Sequence, residues 1–188
     1  MEKIATLLKD KSQEQLWQLF IDGDMHAFNL IYSNHYQMLH NFGIKFLSHS
    51  EIEDAIHDTF LNLLNYKKSL KEVNNVKAYL FKCLRNQIFK IKKSNKFEFT
   101  LIEGAIQSDT ETHDKEKVLV ELKKIIKQLS PREREIVYLK YFQHFNNKEI
   151  SGLLDIKYQT VRNILANAII KLRALGEDMI QLLFLIFK

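Results

Sequence analysis

The sequence predicts an all-α protein: two small helical domains joined by a flexible linker, the C-terminal one a helix-turn-helix. Three observations lead there. Apolar residues recur at three-four spacing along most of the 188 positions. Five Gly and one Pro are too few for the many turns of an all-β chain, while the abundant Leu, Ile, Lys, Glu and Gln favour helix. From about Ser94 to Asp114 the periodicity fades into the polar, turn-rich SDTETHD. We therefore expect a first domain at 1–94, a linker at 95–116 and a second domain at 117–188 ending in an apolar tail. At 46% hydrophobic the chain can bury two small cores.

Over residues 1–95 helical periodicity is almost unbroken, with Gly23 and Gly43 as the expected breaks. The clearest helix is SEIEDAIHDTFLNLL, whose stripe is Ile52, Ala55, Ile56, Thr59, Phe60, Leu63 and Leu64. Ser50 with Glu53 predicts the capping box that starts it. VKAYLFKCLRNQIFKIKK follows, expected to bury Leu80, Cys83, Leu84 and Ile88 and to expose Lys82, Arg85, Asn86, Lys90 and Lys93. After the linker comes VLVELKKIIKQL and then SPRE, in which Ser130 caps, Pro131 takes the first helical position and Glu133 closes the box. That signal starts the helix carrying Ile136, Val137, Tyr141 and Phe142.

The run from Asn147 to Leu172, NKEISGLLDIKYQTVRNILANAIIKL, reads as two amphipathic helices on a tight turn. Ile150, Leu153 and Leu154 give the first its buried face. Val161, Ile164, Leu165, Ala168, Ile169 and Leu172 do so for the second, leaving Gln159, Arg162, Asn163 and Asn167 outward. A short, acid-free helix with such a row fits a major groove, where Arg and Asn bond base edges. Paired helices of this kind also occur as plain bundle corners.

Net charge is +5, but it is unevenly spread. Residues 1–72 hold 7 Lys/Arg against 10 Asp/Glu, and 73–98 hold 7 against 1. Residues 99–156 hold 9 against 10, and 157–188 hold 5 against 2. The two positive zones fit a polyanion, with solvated helix faces as the plain alternative.

Little in the sequence points to catalysis. There is no Gly-rich phosphate loop, nucleophile elbow or paired catalytic carboxylate arrangement. Asp54, His57 and Asp58 share a helix face, but no fourth ligand or supporting shell accompanies them, so a protein-docking face is the better reading than a metal site. The single cysteine, Cys83, lies on an apolar stripe as a core filler. We expect no cofactor, no metal and no enzyme activity. With no paired cysteines and no charged-then-apolar leader, a cytoplasmic location is expected, and the apolar run from Met179 to Phe187 is too short for membrane insertion.

From about Phe20 to Arg173 these pieces, in this order and spacing, resemble an extracytoplasmic-function sigma factor of bacterial RNA polymerase, in the sigma-70 superfamily. FIDGDMHAFNLIYSNHY resembles the family's opening pattern, EIEDAIHDTFLNLL its polymerase-docking helix, and VKAYLFKCLRN its downstream promoter-recognition segment. LSPREREIVYLKYFQHFNNKEISGLLDIKYQTVRNILANAIIKLR resembles the domain that reads the upstream element. The departures are His57 and Asp58 for the usual Gln and Glu, Tyr79 for Trp, Lys90 for Asp, Asp155 for the turn Gly, and Lys157 for a capping Ser or Thr.

The resemblance implies region 2 in the first domain and region 4 in the second. Asp54, His57, Asp58 and Asn62 would dock on the clamp of the largest subunit of the polymerase core. Asn74, Asn75, Lys77, Tyr79, Lys82, Arg85, Asn86, Lys90 and Lys93 would meet downstream promoter DNA and capture an unstacked base. Lys157, Tyr158, Gln159, Thr160, Arg162 and Asn163 would read the upstream duplex, with Lys171 on a phosphate. An anti-sigma factor is a further possible partner. The competing readings are an autonomous regulator binding operators as a dimer, which needs a dimer or ligand domain in the N-terminal half, and a helical adaptor, which leaves the positive zones unexplained. A free linker of this length averages only ~26 Å end to end, whereas two DNA elements a couple of turns apart are ~70 Å distant. Simultaneous contact therefore needs a third body, which in this family is the polymerase.

Overall fold

All regular structure in the computed structural model is helical among the residues it describes, which are Leu8, 10–67, Leu70, Val73, 75–92 and 128–173. The expected linker, most of VLVELKKIIKQL, the apolar tail, Asn74 and Lys93 lie outside them. The chain divides into two units, Met1–Asn95 and Lys96–Lys188.

In the first unit, α1 (Gln13–Asp22) opens on a Ser12 capping box with Gln15. It stops at Gly23, whose φ of 107° is the left-handed conformation that glycine adopts without strain. Asp24 then accepts the N–H groups of His26 and Ala27 to start α2 (Met25–Gly43). Gly43 is the last residue of that helix, where the break was expected. A methyl group there would overlap Cδ1 and Cγ1 of Ile52, so its role is close approach between α2 and α3. The α3 helix (His49–Tyr66) is capped by Ser48 with Glu51, two residues before the expected Ser50 and Glu53. The reason is the flank: Leu47 and Ile52, at the two staple positions of this register, are buried, whereas the other register puts His49 and Asp54 there.

Packing follows the apolar stripes. Ile52, Ala55, Ile56, Phe60 and Leu63 of α3 meet Leu80, Phe81, Leu84 and Ile88 of α4 (Val76–Lys92) and the buried side of α2. Phe42 of α2 lies 5.0 Å from Phe81, and Trp17 of α1 meets Tyr79 edge-on at 5.4 Å. Each such aromatic removes enough surface from water to contribute about 2 kcal/mol.

In the second unit, α5 (Pro131–Val137) begins on the predicted Ser130–Glu133 box and runs into a π-helical turn, Tyr138–Phe142. Tyr138 and Leu139 join Ile136 and Val137 in the core, while Tyr141 and Phe142 are half-buried. Gln143 donates to the Tyr138 hydroxyl at 2.9 Å, and burial pushes that phenol up to about 12. Asn146 caps α6 (Asn147–Leu154), which buries Ile150, Leu153 and Leu154. Asp155 makes the left-handed turn at φ 53°, and α7 (Tyr158–Arg173) packs Val161, Leu165, Ala168 and Leu172 inward, with Ile164 and Ile169 half-buried. Together α6 and α7 form the helix-turn-helix. No helix among the described residues is long and apolar enough to cross a membrane.

Candidate functional site

The buried stripe of α3 fixes what its other side presents. Asp54, His57, Asp58 and Asn62 are all exposed, in one row that also carries Glu51 and Leu61. Thr59, on the inner side, donates its hydroxyl to the Ala55 carbonyl at 2.7 Å and is no part of that face. Among the described residues no group of three or more His, Cys, Asp and Glu side chains is arranged to hold a metal ion.

Between α3 and α4 lies a cleft of about 300 Å³. It brings Asn62, expected on the docking face, together with Tyr79, Asn86 and Lys90, expected on DNA. Tyr66 and Gln87 line it too and were not singled out from the sequence. The signal was available: 79, 83, 86, 87 and 90 form one helical stripe, as do 59, 62, 63 and 66. Burial, then the Cys83 thiol that shares a hydrogen bond with it, pushes the Tyr79 phenol far above its ordinary range. Burial likewise raises the half-buried Cys83, which keeps it a thiol. The cleft thus offers two aromatic rings, three side-chain amides and one ammonium.

The rest of the basic helix departs from expectation in two places. Arg85 is buried at 7% exposure, with its guanidinium 4.3 Å from the centre of the Phe89 ring one turn on, so it belongs to the core margin and not to the exposed row. Asn75 accepts the Ala78 N–H at 2.9 Å and serves as the start of α4. Lys77 is half-buried near His35, whose imidazole is held below its ordinary value chiefly by burial. Lys82, Asn86 and Lys90 are exposed as expected.

In the second unit the turn at Asp155 aims α7. Ile156 donates its N–H to the Ser151 carbonyl at 3.1 Å, and the Ser151 hydroxyl donates to the Ile156 carbonyl at 2.6 Å, closing the turn from both sides. Lys157, Tyr158, Gln159, Thr160, Arg162 and Asn163 then stand exposed on the first two turns. Gln159 donates to Asn163 at 3.0 Å, so these two amides form one hydrogen-bonding unit. Arg132 bonds the buried Glu135 at 2.7 Å and reaches the Leu154 carbonyl at 3.3 Å, tying α5 to the end of α6.

Lys171, expected on a phosphate, has a partner within its own domain. Its ammonium contacts both oxygens of Glu133, at 2.8 and 2.9 Å, joining α7 to α5. Burial alone would raise the Glu133 carboxyl, but Lys171 and the N–H and hydroxyl of Ser130 outweigh it and hold the group below its ordinary range. The Lys171 side chain stays 44% exposed while it makes this pair.

Family models match both units: the description Sigma-70 region 2 at residues 31–97 and Sigma-70, region 4 at residues 119–172, together well over half of the chain. Two solved structures share the fold. One, described as CnrH in complex with the cytosolic domain of CnrY, superposes with a TM-score of 0.62 at 17% identity, covering 88% of this chain and 97% of that one. The other, the sigma factor RpoE in complex with the anti-sigma factor NepR from Bartonella quintana, gives 0.57 at 22% identity, covering 79% and 95%. No curated protein matches the chain by sequence.

Proposed function

Because the chain belongs to the sigma-70 family, with regions 2 and 4 in the order of its extracytoplasmic-function members, we propose that it binds RNA polymerase core and directs initiation at particular promoters. The observation that carries this is the division of labour between units that each match one region. The first presents an acidic exposed row and a polar-aromatic cleft on adjacent helices, and the second presents an exposed Gln159, Arg162 and Asn163 row on a helix-turn-helix.

In this reading Asp54, His57 and Asp58 dock on the clamp of the largest subunit. Lys82 and Lys90 guide the downstream strand, and the cleft holds an unstacked base between Tyr66 and Tyr79 with the amides of Asn62, Asn86 and Gln87 as hydrogen-bond partners. Region 4 keeps the upstream element as duplex. We assign no chemical step to the chain, since bond formation belongs to the polymerase, and we place its action in the cytoplasm, where that enzyme works. The complex named for RpoE with NepR supports an anti-sigma factor as a further partner.

The test is co-purification of the full chain with polymerase core, followed by transcription from a promoter library. Selective initiation from a subset of promoters is expected. Operator binding as a dimer, without recruitment of core, would point instead to an autonomous regulator.

A further inference from the structure

The one tryptophan of the chain, Trp17, sits on α1, ahead of the region 2 match that starts at residue 31. It is buried, and its ring lies edge-on to two others: Phe20 of its own helix at 5.5 Å and Tyr79 of α4 at 5.4 Å. Phe20 carries the series of rings on to Phe28 of α2 at 5.4 Å, and Phe28 to Phe60 of α3 at 5.9 Å. Of these rings Tyr79 alone lines the cleft. Its side chain is tied at two points, by Trp17 at the ring and by the hydrogen bond shared with Cys83 at the hydroxyl.

A ring on which a base stacks grips it best when the ring is already ordered, because every side-chain rotamer fixed on binding costs affinity. The edge-on contact with Trp17 orders Tyr79 in this way. It covers at most one face of the Tyr79 ring and leaves the other for a stacked base. We propose that Trp17 is a positioning residue for the cleft: its indole holds the Tyr79 ring in the orientation that receives an unstacked base, which makes α1 part of the downstream-element site. The inference rests on the base-holding reading of the cleft above and adds a residue that the base itself does not touch.

Two features sharpen it. Nε1 of Trp17 has no hydrogen-bond acceptor among the described residues, so packing holds the indole. Trp17→Phe therefore gives up no hydrogen bond and keeps a ring toward Tyr79, whereas Trp17→Leu removes the ring. The second feature is the separation from the docking row. Phe60 carries the aromatic series on the buried side of α3, while Asp54, His57 and Asp58 lie on its exposed side. A change at Trp17 should reach DNA through Tyr79 and leave docking on core as it was.

The test measures the affinity of the full chain, in complex with polymerase core, for a randomised single-stranded DNA oligonucleotide. Trp17→Leu should weaken it about two- to tenfold, and Trp17→Phe should recover most of that loss. The dissociation constant for core itself should not change. A general loss of packing would add to the effect of Tyr79→Leu, whereas a loss that acts through Tyr79 would not. Trp17→Leu should therefore cost nothing further in a chain that already carries Tyr79→Leu. An equal cost in both backgrounds, or no loss from Trp17→Leu alone, overturns the inference. Should Trp17→Leu fail to fold, the indole itself reports: azatryptophan in place of Trp17, excited selectively beside unlabelled core, should change its emission when the strand binds, and Tyr79→Leu should abolish the change. Unaltered emission, or a change that survives Tyr79→Leu, overturns the inference. Tyr79→Leu alone separates the two readings. If it leaves strand affinity at the wild-type value, the base-holding cleft fails; if it weakens the strand while Trp17→Leu does not, only the positioning role fails.

Discussion

Lys171→Ala separates a structural lysine from a DNA-contacting one. The substitution removes both contacts to Glu133, a residue whose side chain is 10% exposed, from a lysine that is 44% exposed. A broken, fully buried pair costs about 3–5 kcal/mol, and an exposed one about 0–1. This pair lies between, because Glu133 keeps the Ser130 N–H at 2.7 Å when the ammonium goes. We expect a loss of about 1–2 kcal/mol, which for a domain of this size lowers the melting temperature by about 5–10 °C. Thermal unfolding followed by circular dichroism on the full chain reads it. The sign of the pH effect follows from the depressed Glu133 carboxyl: the stabilisation is present above its ordinary 4.5 and is lost as pH falls through the folded value. The gap between wild type and variant should therefore close in acid. Promoter binding supplies the counter-test. A lysine on a phosphate lowers the salt slope by about one unit when removed. We expect no such change for Lys171→Ala, and a drop of about one for Lys157→Ala, whose side chain is exposed. An unchanged melting temperature together with a slope lowered by one would refute the assignment.

Arg162→Ala should cost about 1–3 kcal/mol of upstream binding and relax the preference at one or two base pairs; selection from randomised elements with the reconstituted holoenzyme checks it. Gly152 lies in α6 with open space where a methyl group would go, so Gly152→Ala should stabilise by about 0.5–1 kcal/mol. Gly43→Ala should destabilise by about 1–3 kcal/mol, through overlap with the buried Ile52, and chemical denaturation ranks the pair. Ser48→Ala should cost about 1 kcal/mol by removing the cap of α3; Ser50→Ala should change stability by only a few tenths, and a larger loss at Ser50 would restore the later helix start.

What was legible in the sequence was whatever depends on neighbours a few residues away. The SPRE start, the Asn147–Leu172 helix pair and the apolar stripes of α3 and α4 are local patterns, and each stands in the structure. The Ser48 cap was legible as well, but two overlapping Ser-x-x-Glu boxes competed, and only the flanking Leu47 and Ile52 separate them. Arg85 was misread although Phe89, four residues on, could have flagged a ring to cover it. The Lys171–Glu133 pair spans 38 residues and exists only once α7 has packed on α5, so no periodicity carries it. The same holds for the cleft, whose two halves are visible as stripes but whose meeting is tertiary.

The π-helical turn has a consequence for how the chain length of region 4 can vary. Its wide closure, with Gln143 donating back to the Tyr138 carbonyl and Phe145 to that of Leu139, accommodates one residue more than a regular turn would. Removing a residue from an ordinary helix swings everything beyond it by about 100°. Here the turn can shorten to the regular form and absorb the loss, leaving the Phe145 anchor and the buried face of α6 where they are. The segment is a built-in slack of one residue, so a relative one position shorter between Val137 and Asn146 can keep the same α6–α7 pair in the same orientation.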